Sequence, residues 1–156
     1  MIISENCRKI FRRSRPYRKG AVAAMQRIGR QFPDCGYGRK FYQWMFDDDP
    51  RPYNRCGNGS AMRISPVGFA AGSVEQAKEM SAAVTRVSHN HPEGLKGAEA
   101  TAVAIVLARQ GNTKDEIRKY IEENYKLCDK ILKEMSVQMS VQLEISSSVL
   151  MITVML

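Results

Sequence analysis

The chain has 156 residues, 44% of them apolar and 26% charged, with a formal net charge of +8. That is enough for one domain with a modest core, and it excludes a collagen, a coiled coil and a disordered tail of low hydrophobicity. No apolar run reaches the roughly eighteen residues of a membrane span, and the start, MIISENCRKIFRRSRPYRKG, carries charge where a secretion signal needs its apolar centre; the expectation is a cytoplasmic protein without a membrane segment.

The positive charge is concentrated at one end. Residues 1 to 55 hold 13 Lys and Arg against 5 Asp and Glu, whereas residues 56 to 156 hold 11 against 11. Seven of the basic residues fall between Arg8 and Lys19, around Pro16 and Tyr17. Such a cluster reads either as a solvated end or as a surface that neutralises nucleic-acid phosphates, and no recognised nucleic-acid module follows it. Cys7, Cys35, Cys56 and Cys128 lie far apart with no C-x-x-C pair, so free thiols are expected rather than a zinc site or a disulfide framework.

From about residue 20 to residue 126 the chain reads as helix. GAVAAMQRIGRQF stops at Pro33, and GYGRKFYQWMF stops at the acidic run Asp47 to Asp49 before Pro50. SVEQAKEMSAAVTRVSH opens with Ser73 and Gln76 at capping-box spacing and repeats Val74, Ala77, Met80, Val84 and Val87 on one face. HPEGLKGAEATAVAIVLARQG has Pro92 at a first helical position, is apolar nearly all round from Ala98 to Ala108, and stops at Gly111; the spacing predicts a buried helix. TKDEIRKYIEENY repeats the capping pattern with Thr113 and Glu116 and puts Ile117, Tyr120, Ile121 and Tyr125 on one face. The expected architecture is an all-α partial bundle of about five helices with residues 95 to 108 at its centre. Beyond it, SVQMSVQLEISSSVLMITVML alternates apolar and polar residues, so residues 127 to 156 are expected to form an atypical strand-like or disordered tail apart from a helical domain at 1 to 126.

Between the second and third of these helices lies YNRCGNGSAMRISPVG. Gly57 and Gly59 let backbone N–H groups approach a ligand, Asn58 tolerates left-handed geometry, and Ser60 is placed to cap a following helix whose N-terminus would face an anion such as phosphate. An ordinary turn with an N-cap explains the same residues. A second cluster, SHNHPEGLKGAEAT, follows at residues 88 to 101.

In order and spacing, these two segments resemble the ADP-ribosylglycohydrolase family, all-helical enzymes that include the dinitrogenase reductase-activating glycohydrolase and the ADP-ribosylarginine and ADP-ribosylserine hydrolases. The resemblance runs from about residue 5 to residue 125. It implies an orthogonal helical bundle whose ADP-ribose cleft is lined by Gly57, Asn58, Gly59, Ser60, Ala61, Met62 and Arg63, with His89 beside the bound nucleotide and ADP-ribose or an ADP-ribosylated protein as partner. His91 invites a metal reading through its H-x-H spacing but has no third ligand nearby, and it is expected to be structural. The family holds two Mg²⁺ ions with carboxylates from a T-D-D-T-like and a G-G-D-x-D-T-like motif, and neither is present here. Asp47, Asp48 and Asp49 read as an exposed helix-ending loop. The resemblance therefore implies a domain truncated at both ends, with no assigned catalytic residue, no metal ligand and no Mg²⁺ bound by this chain alone.

Two functions stay open on these residues. One is hydrolysis of the glycosidic bond of ADP-ribosylated proteins or ADP-ribose conjugates, as in complete relatives. The other is a non-catalytic fragment that binds ADP-ribose, or nucleic acid through Arg8 to Lys19. A partial bundle is also expected to expose apolar surface and to self-associate.

Overall fold

The computed structural model describes residues 15–54 and 58–125. Among these residues the chain is all-α: α1 Arg15–Gln31, α2 Arg39–Phe46, α3 Gly59–Met62, α4 Ser65–Ala70, α5 Val74–Thr85, α6 Pro92–Arg109 and α7 Lys114–Asn124. The five longer helices correspond to those expected from the sequence. The basic stretch is helical from Arg15, with Pro16 in the first turn, where a missing N–H costs nothing. The 127 to 156 tail, and the residues from Arg8 up to residue 14, lie outside the described residues.

α6 is the centre. Gly94, Gly97, Ala98, Ala100, Thr101, Ala102, Val103, Ala104, Val106 and Leu107 are all buried, so the helix is covered on every side. Its small side chains let α3, α4, α5 and α7 pack directly against it. Ile64, Val67, Ala71 and Ala77 fill the near side, and Ile117, Ile121 and Tyr125 close the far side. α4 approaches so closely that a Cβ on Gly68 would lie 2.6 Å from Ile105 Cβ and 3.0 Å from the Ala102 carbonyl oxygen.

The helix ends use the local chemistry visible in the sequence. Ser73 accepts from the Gln76 N–H, and Thr113 with Glu116 forms a complete capping box. His91 is at the N-cap of α6, where its Nδ1 accepts the Glu93 N–H at 3.2 Å; its role is structural. Gly111 has φ +88 after the α6 C-terminus. At the other end of the chain, α1 satisfies the last carbonyls of α2: Gln26 donates to Asp47 O at 2.7 Å and Arg30 to Met45 O at 2.7 Å.

A second, smaller cluster joins α1 and α2 to the turn after α5. Trp44, Met45 and Val87 are buried there with Val22, Met25, Tyr37, Phe41 and Tyr53 around them. The Trp44 indole donates to the Val87 carbonyl at 3.1 Å across 43 residues of sequence. Residues 86 to 89 therefore leave the helix, which ends at Thr85 rather than running to His89 as its periodicity predicts.

Replacing Gly68 with alanine is expected to destabilise the protein by about 1–3 kcal/mol, because the added carbon meets a β-branched side chain and a backbone oxygen rather than a flexible tip. Gly20 lies within α1 with nothing within 4 Å of its Cβ position, and Gly20→Ala should stabilise by about 0.5–1 kcal/mol. Urea unfolding of the two variants beside the parent checks both signs.

Candidate functional site

Residues 58 to 70 form two short helices instead of the single one expected. Asn58 is at the N-cap of α3 without a side-chain bond, so Ser60 does not cap this helix. It lies one residue inside α3, 1% exposed, and its hydroxyl donates to the Gly94 carbonyl of α6 at 2.9 Å. That carbonyl competes successfully for the hydroxyl because it lies in the buried contact between α3 and α6, where an unpaired polar atom would be costly. Ala61 is buried in the same contact, whereas Met62 is 57% exposed. Pro66, in the first turn of α4, fits where the chain re-enters helix after Arg63 and Ile64.

Arg63 turns inward and joins the two sequence motifs. Its guanidinium donates to Ser88 Oγ, lies 3.1 Å from His89 Nδ1 and reaches back to the Gly59 carbonyl at 3.3 Å. It also stacks on the Phe41 ring at 5.0 Å. Among the described residues no carboxylate pairs with it. Burial, the largest effect, lowers its pKa to about 10, and the Tyr53 phenol opposes that shift. The cation is therefore retained at neutral pH, held by a ring face and neutral oxygens and nitrogens. Its Nε is buried without a hydrogen-bond partner.

His89 is 4% exposed. Its backbone forms a parallel bridge with Tyr53, whose N–H donates to Ser88 O at 2.8 Å, and the two rings sit 4.9 Å apart. The Ser88 hydroxyl lies 3.1 Å from His89 Nδ1. The other edge of the imidazole faces Gly59, where a Cβ would stand 3.5 Å from Nε2.

The structure thus brings Gly59, Arg63 and His89 into direct contact and places Asn58 and Met62 at the margin, with Ser60 and Ala61 beneath as support. Gly57 lies outside the described residues. Tyr53, Ser88, Phe41 and Trp44 complete the arrangement; the sequence named none of them as a site residue, and only Tyr53, opening the glycine segment, and Ser88, opening the second motif, stood in the segments it singled out.

The described residues alone offer no group that fits a pair of Mg²⁺ ions. Among the described residues no three His, Cys, Asp or Glu side chains come together, whereas two such hard cations need a shared set of several carboxylate oxygens. Asp47, Asp48 and Asp49 are exposed in a loop, where Asp47 Oδ1 accepts the Asp49 N–H at 3.0 Å and Asp49 pairs with Arg51. No described helix is long and apolar enough to cross a membrane.

Arg63→Met keeps an unbranched chain against Phe41 but strands Ser88, His89 and the Gly59 carbonyl. A loss of about 1–3 kcal/mol is expected for such orphaned buried groups. Amide exchange should accelerate at Tyr53 while the amides of α6 keep their protection; Met62→Ala, at an exposed side chain, should change neither.

No curated protein and no solved structure matches the chain. The family model described as ADP-ribosylglycohydrolase matches residues 3–149, which includes both motifs joined by Arg63 and continues past residue 126. Together with the all-α architecture, a match of this extent shows that the chain belongs to the ADP-ribosylglycohydrolase family.

Proposed function

We propose that this chain recognises ADP-ribose, free or attached to protein, at the loop of Asn58, Gly59, Met62 and Arg63 beside His89, with Gly57 completing the loop. The observation that carries this reading is the direct joining of two motifs 25 residues apart, Arg63 to Ser88 and His89, into one locked unit. Backbone groups of a loop without side chains at Gly57 and Gly59 suit the oxygens of a pyrophosphate or ribose. Ser60 holds the loop on α6, and Arg63 sets the imidazole of His89 rather than reaching out to the ligand. The positive charge of Arg63 favours an anion nearby even from beneath the loop, because little solvent screens it.

The family is one of metal-dependent hydrolases, and in complete relatives the resemblance implies cleavage of the glycosidic bond with Mg²⁺. For this chain we propose binding with little or no turnover, because the described carboxylates offer no site that could position such ions. The basic segment is a weaker alternative site: nucleic-acid binding there would not explain why Arg63, Ser88 and His89 converge.

Calorimetric titration with ADP-ribose should show weak binding by the purified chain. Gly59→Val should abolish it with helix content unchanged, since the valine methyl groups enter the space between the loop and the His89 ring. Arg15→Ala should leave it unchanged. Release of ADP-ribose from a modified peptide should be negligible. Turnover that EDTA abolishes and Mg²⁺ restores would overturn the non-catalytic part of the reading and direct attention to Asp47, Asp48 and Asp49; absence of ADP-ribose binding would overturn the whole.

A further inference from the structure

The surface carries a groove of about 540 Å³ lined by residues next to the Tyr53–His89 bridge. Arg18 and Lys19 from α1 and Arg86 at the C-cap of α5 line it together with Val22, Val87 and Pro52. Among the described residues no carboxylate and no aromatic side chain lines it. Arg86 and Val87 immediately precede Ser88 and His89, and Pro52 immediately precedes Tyr53, so the groove and the candidate site share both strands of the bridge.

We infer that this groove docks an acidic stretch of the acceptor polypeptide that carries the ADP-ribose, an inference that rests on the proposed recognition of ADP-ribosylated protein. The exposed cations Lys19 and Arg86 beside apolar side chains complement a segment with carboxylates on extended side chains, and the +8 charge of the chain steers such a segment towards it. Single-stranded nucleic acid fits less well, because sequence-tolerant binding of that kind depends on aromatic platforms for the bases and the groove offers none. The chain's own residues up to 14 include Arg8, Lys9, Arg12 and Arg13 and do not complement it in charge. A second copy offers Asp47 to Asp49, where Asp49 already pairs with Arg51, or Asp115, Glu116, Glu122 and Glu123 on α7, which are interleaved with Lys114, Arg118 and Lys119. Two chains each carrying +8 also repel at long range.

Fluorescence anisotropy with fluorescein-labelled octaglutamate, on the full chain at low ionic strength, tests this directly. Saturable binding is expected, weakened about tenfold by Lys19→Glu with Arg86→Glu, as two lost and reversed surface charge contacts would give. Arg118→Glu with Lys119→Glu, on exposed positions of α7, changes the net charge equally and should hardly alter the affinity. Arg86→Gln, a milder change at an exposed side chain, should weaken binding in the same direction, and circular dichroism identifies any variant that has lost its helices. Gly59→Val should leave peptide binding intact, so failure of ADP-ribose recognition and failure of the groove are read separately. Equal loss in both double variants, no binding by the parent, or tighter binding of octathymidylate than of octaglutamate would overturn the inference. So would sedimentation showing a self-associated chain that the Lys19 and Arg86 reversals dissociate.

Discussion

The close packing of α6 is the constraint on which the rest of the structure depends. A helix buried over most of its length from Gly97 to Leu107 has little solvent-facing surface there to absorb misfit, so its neighbours are placed by the shapes of Gly, Ala, Val and Thr side chains along it. α3 and α4 are both short, and neither has enough internal hydrogen bonds to be stable alone. They persist because Ser60 is tied to Gly94 and Gly68 fits against Ala102 and Ile105. Arg109 extends the same support, donating to the last carbonyls of α4 at Gly68 and Ala71. The segment from Gly59 to Ala70 is thus held in place by the core helix.

On that foundation, Arg63 converts two separate segments into one site. A buried guanidinium with no carboxylate partner among the described residues is costly unless its donors find acceptors. Here the Ser88 hydroxyl, the Gly59 carbonyl and the His89 ring receive its terminal nitrogens, with Phe41 covering one face, while Nε stays without a hydrogen-bond partner. Using neutral partners has a chemical consequence. The positive charge is not cancelled by a carboxylate among the described residues, and under the proposed function it would favour an anionic ligand more than a salt-bridged arginine could. The indole of Trp44 fixes the same turn from the opposite side through Val87, so the imidazole is constrained by its backbone as well as by its ring.

The helices that carry this arrangement were largely legible. Ser73 with Gln76, Thr113 with Glu116, Pro92 and Gly111 mark their ends through interactions that act within one turn. The faces repeat at helical spacing, so Ala77, Ile117, Ile121 and Tyr125 could be assigned to the core without knowing what they meet. The two motifs stood out in the sequence, whereas the partners of their polar atoms did not: the structure engages the Ser60 hydroxyl and the Arg63 guanidinium within the protein. Nothing in GNGSAMR indicates that a carbonyl of α6 will sit under the serine, or that Phe41 and Tyr53 will enclose the arginine.

By itself the sequence determined the all-α class, the caps, the burial of most residues from 98 to 107 and the family to which the chain belongs, because these depend on short-range periodicity and on contiguous motifs. Only the tertiary structure decided that the helix after Ala83 gives way at Thr85, that Tyr53 pairs with His89, and that Arg63 points inward to bind them. The reason is physical. A side chain's direction is chosen by which buried acceptors would otherwise be left without a partner, and those acceptors come from α2, α5 and α6, elements distant in sequence that meet only when the chain is folded.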